Sequence, residues 1–127
     1  MWHPRHPKER SRQLDPMSDF DLIVTIIPKG QSGRIVAASK AAGAEGGTVI
    51  PGRGTGIHEH KKLFGIAIEP EKEVILTLVP SHKTDEILES IVEAGRLNEP
   101  GTGVGFVLDA KRVVGINHLI DDLHDYS

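Results

Sequence analysis

The sequence predicts an α+β sandwich in the order β-α-β-β-α-β, with one antiparallel sheet and two helices on one face, and three observations carry that reading. Two apolar, β-branched runs, DLIVTIIP at 21–28 and EVILTLVP at 73–80, each end in proline, the pattern of short buried strands. Behind each comes a segment with helical spacing and a glycine stop, QSGRIVAASKAAG and KTDEILESIVEAG. The halves also keep step, since Pro28 and Pro80 stand 52 positions apart, as do Gly43 and Gly95. Two such β-α-β units in one chain make the ferredoxin-like sandwich.

The elements follow in order. Residues 1–18 begin MWHPRHPKERSRQLDP, basic but without the apolar stretch of a secretory signal, and are expected to form a disordered lead. The folded domain is expected over 19–116. After the first strand, Ile35, Val36, Ser39 and Ala42 give the first helix its buried stripe. GTVI then makes a short strand leading into the glycine cluster GRGTG at 52–56. In the second helix the stripe is Ile87, Leu88, Ile91 and Val92, with Thr84 as the expected N-cap. A second glycine cluster, GTGVG at 101–105, precedes the strand FVLD, and KRVVGI at 111–116 is expected to add a short strand. The last residues, 117–127, read as a polar tail or a subunit contact.

Composition narrows the function classes. A chain of 127 residues fits one domain with a modest core, so subunit association would help to bury the rest of its apolar surface. The formal charge of -3 provides no overall basic field for nucleic acid. The absence of cysteine removes disulfide and thiol chemistry and fits a reducing cytoplasm. No apolar run reaches the roughly 18 residues of a membrane span.

The stretch PGRGTGIHEHKKLFG, 51–65, is longer than the two to five residues, roughly, that a tight turn needs. It is not a Walker phosphate loop, because no lysine follows the last glycine at the required place, and neither glycine cluster opens a helix as a dinucleotide fingerprint does. Glycines do let backbone N–H groups converge into an anion nest. The bland reading is a set of turn glycines. His58 and His60, with Glu59 between them, are candidate metal ligands, although on an extended chain the two histidines share a face from which Glu59 points away. The bland reading there is a solvated polar loop. Glu69, Glu71 and Glu73 alternate as at the exposed start of a strand, and no nucleophile with a partnered base is visible, so no enzyme activity is expected.

Over roughly residues 20–116 the chain resembles the PII signal-transduction proteins of nitrogen regulation. The resemblance rests on AGAEGGTVIPGRGTG leading into a loop, on LTLVP, on a helix ending EAGRL, and on a glycine turn followed by FVLDAKRVVGI. It implies a homotrimer that holds ATP or ADP in clefts between subunits, with the base of a long loop, the T-loop, from one chain and a glycine turn, the B-loop, from another. It also implies a cytoplasmic regulator that acts on a membrane transporter or metabolic enzyme and is recruited to the membrane by such a partner. Carried over by position, the ligand-binding residues are Gly52, Arg53, Gly54, Thr55 and Gly56 at the T-loop base, Arg96, Gly101, Thr102 and Gly103 around the B-loop, and Arg112.

Departures from the family pattern are specific. Val104 stands where the B-loop ends in a phosphate-contacting lysine, Gly115 and Asn117 stand for two terminal arginines, and Gly56 stands for a glutamine that helps to hold magnesium and 2-oxoglutarate. The T-loop, 51–65, is short and has no tyrosine. At about 1.5–3 kcal/mol for each charged hydrogen bond, three lost cations weaken triphosphate binding unless Lys61, Lys62, Arg53 or Lys72 replace them. Two readings stay open. One is a PII-like regulator that binds an adenine nucleotide or another small anion. The other is a divalent-metal-binding trimer resembling the CutA proteins, with His58 and His60 as ligands and Glu59 or His118 beside them.

Overall fold

The computed structural model describes residues 19–56, 62–63, 66–67 and 69–116. The element order is β1 (Phe20–Pro28), α1 (Ser32–Ala41), β2 (Thr48–Arg53), β3 (Lys62–Leu63), β4 (Ile66–Ala67), β5 (Glu71–Pro80), α2 (Thr84–Gly95) and β6 (Val104–Ala110). The four long strands form one antiparallel sheet in the order β2-β5-β1-β6, and β3 pairs with β4 in a separate ribbon. This is the predicted β-α-β-β-α-β sandwich.

The two proline-ended runs lie side by side as the central strands, which explains why they are apolar at nearly every position. A central strand is covered or crowded on both faces, whereas an edge strand needs only one apolar face. Pairing runs from Phe20 opposite Pro80 to Pro28 opposite Lys72. On the helix side of the sheet Ile23, Ile27, Ile75 and Val79 pack against Ile35 of α1 and against Ile87 and Ile91 of α2. Burying each of these side chains is worth about 1.5–3 kcal/mol. The helices approach closely where Gly95 lies, since a β-carbon there would come within 3.2 Å of Ile35 Cδ1. Thr25 and Thr77 share this core, and neither hydroxyl has a hydrogen-bond partner among the described residues.

The opposite face carries a different set. Leu22, Val24 and Ile26 of β1 stand across from Leu78, Leu76 and Val74 of β5 and from Leu108, Phe106 and Val104 of β6. No helix among the described residues covers them, and Val104, Phe106 and Leu108 are 50%, 42% and 49% exposed.

Two expectations need correction here. Residues 111–116 do not form a strand: Ala110 already pairs with Phe20, the first residue of β1, so the ladder has no further partner. The segment crosses the helix-free face instead, where Val113 and Ile116 pack on Phe20, Leu78 and Ala110. Thr84 is not the N-cap of α2. That position belongs to Lys83, because a one-turn 3-10 helix (Ser81–Lys83) leads into α2. The Thr84 hydroxyl donates to Asp21 Oδ2 at 2.7 Å and ties the helix start to β1. The lead expected at 1–18 and the tail at 117–127 lie outside the described residues.

Candidate functional site

Antiparallel pairing brings the two glycine clusters to one end of the sheet. β2 ends there and β6 begins there, on opposite edges, with β5 and β1 between them. Across that end lies a cleft of about 450 Å³, lined by the glycine-rich 52–56 segment, by Gly101 and Gly103, and by Ile26, Lys72, Val74 and Val104. Its size falls within the range of roughly 300–1,000 Å³ found for small-molecule sites.

The floor is built by register. Ile50, Val74, Ile26 and Val104 stand directly opposite one another in a row across all four strands. One step toward the sheet end, Lys72 lies between Pro28 and Gly52. It is only 9% exposed. Alternation starts its side chain on the same face as Val74, so the cleft has an apolar strip with a buried lysine at one margin.

The glycine turn is shaped by steric need. Gly103 has φ +141°, and a β-carbon on it would lie 2.5 Å from the Ile26 carbonyl oxygen and 2.8 Å from Ile27 Cγ2. Only glycine lets this backbone press on β1. The Thr102 hydroxyl donates to the carbonyl oxygens of Arg96 and Glu99 at 2.7 and 2.8 Å, which fastens the turn to the end of α2.

Of the sequence-derived ligand residues, Gly52, Arg53, Gly54, Thr55, Gly56, Gly101 and Gly103 line this one cleft within a single chain. The family resemblance instead divided the two loops between chains. Arg96, Thr102 and Arg112 do not line it. Arg96 forms the left-handed cap that ends α2, with φ 52°, and is exposed. The Thr102 hydroxyl serves the turn, as above. Arg112 lies on the segment after β6, at the opposite end of the sheet. The anion nest also changes, because the Gly54 N–H donates to the Pro70 carbonyl at 3.2 Å and is not turned to a ligand.

Ion pairs and carboxylates organise the rim. Lys29 Nζ and Glu71 Oε2 lie 3.0 Å apart, and Arg53 faces Glu71 in the β2–β5 register. The Lys29 hydrogen bond, reinforced by the Lys29 charge, holds the Glu71 carboxyl below the ordinary glutamate range. Glu73 Oε1 accepts from the Gly30 N–H at 2.7 Å and the Ser32 N–H at 3.3 Å, so a strand carboxylate caps the start of α1. The Gly30 hydrogen bond is the main reason its carboxyl is also lowered. These two glutamates serve the strand and the helix start, and nothing pairs them as an acid and a base.

Among the described residues no group of three or more His, Cys, Asp or Glu could hold a metal ion. His58 and His60, with Glu59 and His118, lie outside the described residues. No helix among the described residues is long and apolar enough to cross a membrane.

Comparison with known proteins agrees with the fold. Residues 20–118 match the family described as Nitrogen regulatory protein P-II. The fold is similar to the crystal structure of Arabidopsis thaliana PII bound to citrate, with a TM-score of 0.60 and 24% sequence identity over 80% of this chain and 83% of that one. No match is found among curated proteins.

Proposed function

Because the chain belongs to the nitrogen regulatory protein P-II family, we propose that it is a regulator that holds an adenine nucleotide or a similar small anion in the cleft at the Lys72 end of the sheet. The observation that carries this reading is the meeting of both glycine clusters over an apolar strip with Lys72 buried at its margin. Apolar surface with few convergent polar groups is the usual composition of a ligand site. ATP and ADP are the ligands that the family resemblance implies. The citrate in the Arabidopsis structure makes polycarboxylates a second class to try.

The proposed readout is the loop 51–65. Its first residues, Pro51, Gly52 and Arg53, are still part of β2, and 52–56 line the cleft. A ligand seated there contacts the root of the loop and biases how the loop meets a partner, an ordering switch of a known kind. The proposed partner is a membrane transporter or metabolic enzyme, and the proposed setting is the cytoplasm, with recruitment to the membrane by that partner.

The proposed assembly is a homotrimer. It is supported by the contiguous row of half-exposed Val104, Phe106 and Leu108 on one sheet face, apolar surface of the kind that a neighbouring copy can cover. Arg112 belongs to the ligand proposal only as a contribution from an adjacent copy, since in its own chain it stands at the far end of the sheet. Arg96 and Thr102 act on the cleft through the turn they hold.

Calorimetry of the purified chain with ATP, ADP, AMP and citrate tests the ligand reading. Saturable heat with at least one of them is expected. No heat with any, up to millimolar concentrations, would remove it. Light scattering tests the assembly, with a mass of three chains expected and a monomer contradicting it.

A further inference from the structure

The first turn of α1 has no cap of its own. Gln31, at the N-cap, makes no capping bond with its side chain, whose Oε1 instead accepts from Arg34 Nη2 at 2.7 Å, and the first turn carries no acidic residue. The cap comes from another strand. Glu73 Oε1 accepts the Gly30 N–H at 2.7 Å and the Ser32 N–H at 3.3 Å, from 43 and 41 positions away. A helix of ten residues is marginal by itself, so its start depends on where Glu73 stands.

Glu73 stands at the entry of β5, where the chain returns from the 51–65 loop. Side chains alternate across the sheet there. Glu71 and Glu73 start on the helix side, as do Ile75 and Val79 of the core, while Lys72 between them starts on the other face and lines the cleft. The same stretch closes the loop root: Arg53 pairs with Glu71 and Gly52 with Lys72, and the Gly54 N–H donates to the Pro70 carbonyl at 3.2 Å. Toward α1, the Lys29 N–H donates to the Glu71 carbonyl, also at 3.2 Å. The Lys29–Glu71 ion pair adds little, because its side chains are 66% and 55% exposed. The stronger tie is the Glu73 carboxylate on two backbone N–H groups. We propose that residues 71–73 form a relay through the sheet: a shift of the loop root, where a partner of the loop would act, loosens the first turn of α1, and loosening that turn loosens the root. The effect runs both ways because the two sites are linked through one strand. The start of α1 then reports the state of the loop on the side of the sheet away from the cleft, whatever the cleft binds.

Native-state hydrogen exchange of the full chain, followed amide by amide by NMR at one chain concentration, tests the relay with two variants, each read at the site it does not touch. G54P removes the donor to Pro70, and the extended backbone of Arg53 before it is the conformation that a following proline favours. E73A removes the cap of α1. Exchange about fivefold faster is expected at Gly30 and Ser32 in G54P, and at Gly54 in E73A. The Ser81 N–H, which donates to the Asp19 carbonyl at the opposite end of the sheet, is expected to stay within about twofold of the parent in both. A cap that served α1 alone would leave Gly54 unmoved in E73A. Unchanged exchange at Gly30 and Ser32 in G54P, or at Gly54 in E73A, therefore overturns the relay, as does an equal rise at Ser81, the mark of a general loss of stability. Circular dichroism checks that each variant folds, and if one does not, the other decides.

Discussion

Replacing Gly103 by alanine probes the contact that shapes the cleft. Two costs add at this site. At φ +141° the backbone is in a region that side-chain-bearing residues rarely occupy, which costs about 1–3 kcal/mol. The new methyl would also sit 2.5 Å from the Ile26 carbonyl oxygen and 2.8 Å from Ile27 Cγ2. The first is backbone in the middle of a paired strand and cannot swing aside, so overpacking adds about 1–3 kcal/mol. The sum, about 2–6 kcal/mol, is a large part of the 5–15 kcal/mol, roughly, that stabilises an ordinary domain. Two other glycines serve as internal controls. Gly101 has φ +78° but open space around it, so G101A meets only the left-handed penalty of about 1–2 kcal/mol. Gly54 has neither a positive φ nor a neighbour within 4 Å of a β-carbon, so G54A is expected to stay within about 0.5 kcal/mol of the parent. Urea unfolding followed by circular dichroism, at one fixed chain concentration because association shifts apparent stability, ranks the three. A G103A variant within about 0.5 kcal/mol of the parent, or one no worse than G101A, would refute the steric account of the turn.

Three further outcomes follow from the same geometry. Thr77→Val removes a buried hydroxyl without a partner among the described residues and is expected to raise stability by about 1 kcal/mol, with Tm rising by about 4–8 °C; a fall in Tm would mean that the hydroxyl is bonded after all. Thr84→Val loses the 2.7 Å bond to the Asp21 carboxylate and is expected to cost about 1.5–3 kcal/mol, measured by the same urea curves. Glu71 and Glu73 both have folded values held below the ordinary 4.5, so their contributions are complete above that value and are lost as pH falls through the lowered folded values. A Tm profile from pH 7 to about pH 3 should therefore decline on the acid side, and E73Q should flatten that decline; an identical acid limb in parent and variant would count against the α1 cap.

Much of the fold was legible because its strongest signals are local. The central strands declared themselves by continuous apolar composition, and the helices by Ile35, Ile87 and Ile91 at helical spacing. The errors fall where partners are remote in sequence. KRVVGI has strand composition, yet whether it pairs depends on β1 having residues left opposite it, and Phe20 is the last. Thr84 looks like a cap until Asp21, 63 positions away, takes its hydroxyl. In the site, the glycine clusters could be read as a pair from their placement in the two halves. Lys72 stood out in the sequence only as a spare cation. Its two-residue spacing from Val74, Leu76 and Leu78 put it on an apolar sheet face, which is the signal that marks it, but its burial beside Gly52 depends on the cross-strand register. Arg96, placed at the B-loop by resemblance, is the left-handed residue that ends α2, a backbone role that depends on the turn after it.

The segment that folds back after β6 has a further consequence. With Val113 and Ile116 covering Phe20, Leu78 and Ala110, the chain has capped one end of its own apolar face, and among the described residues the exposed part of that face is the β6 row Leu108, Phe106 and Val104. A neighbouring copy that covers the β6 row reaches Val104, which is also a wall of the cleft. Assembly and ligand occupancy would then share a residue, and the two equilibria are linked to the extent that the ligand's affinity differs between the assembled and the isolated cleft. A ligand that fits the assembled cleft better than the isolated one tightens subunit association by the same factor by which association tightens its binding.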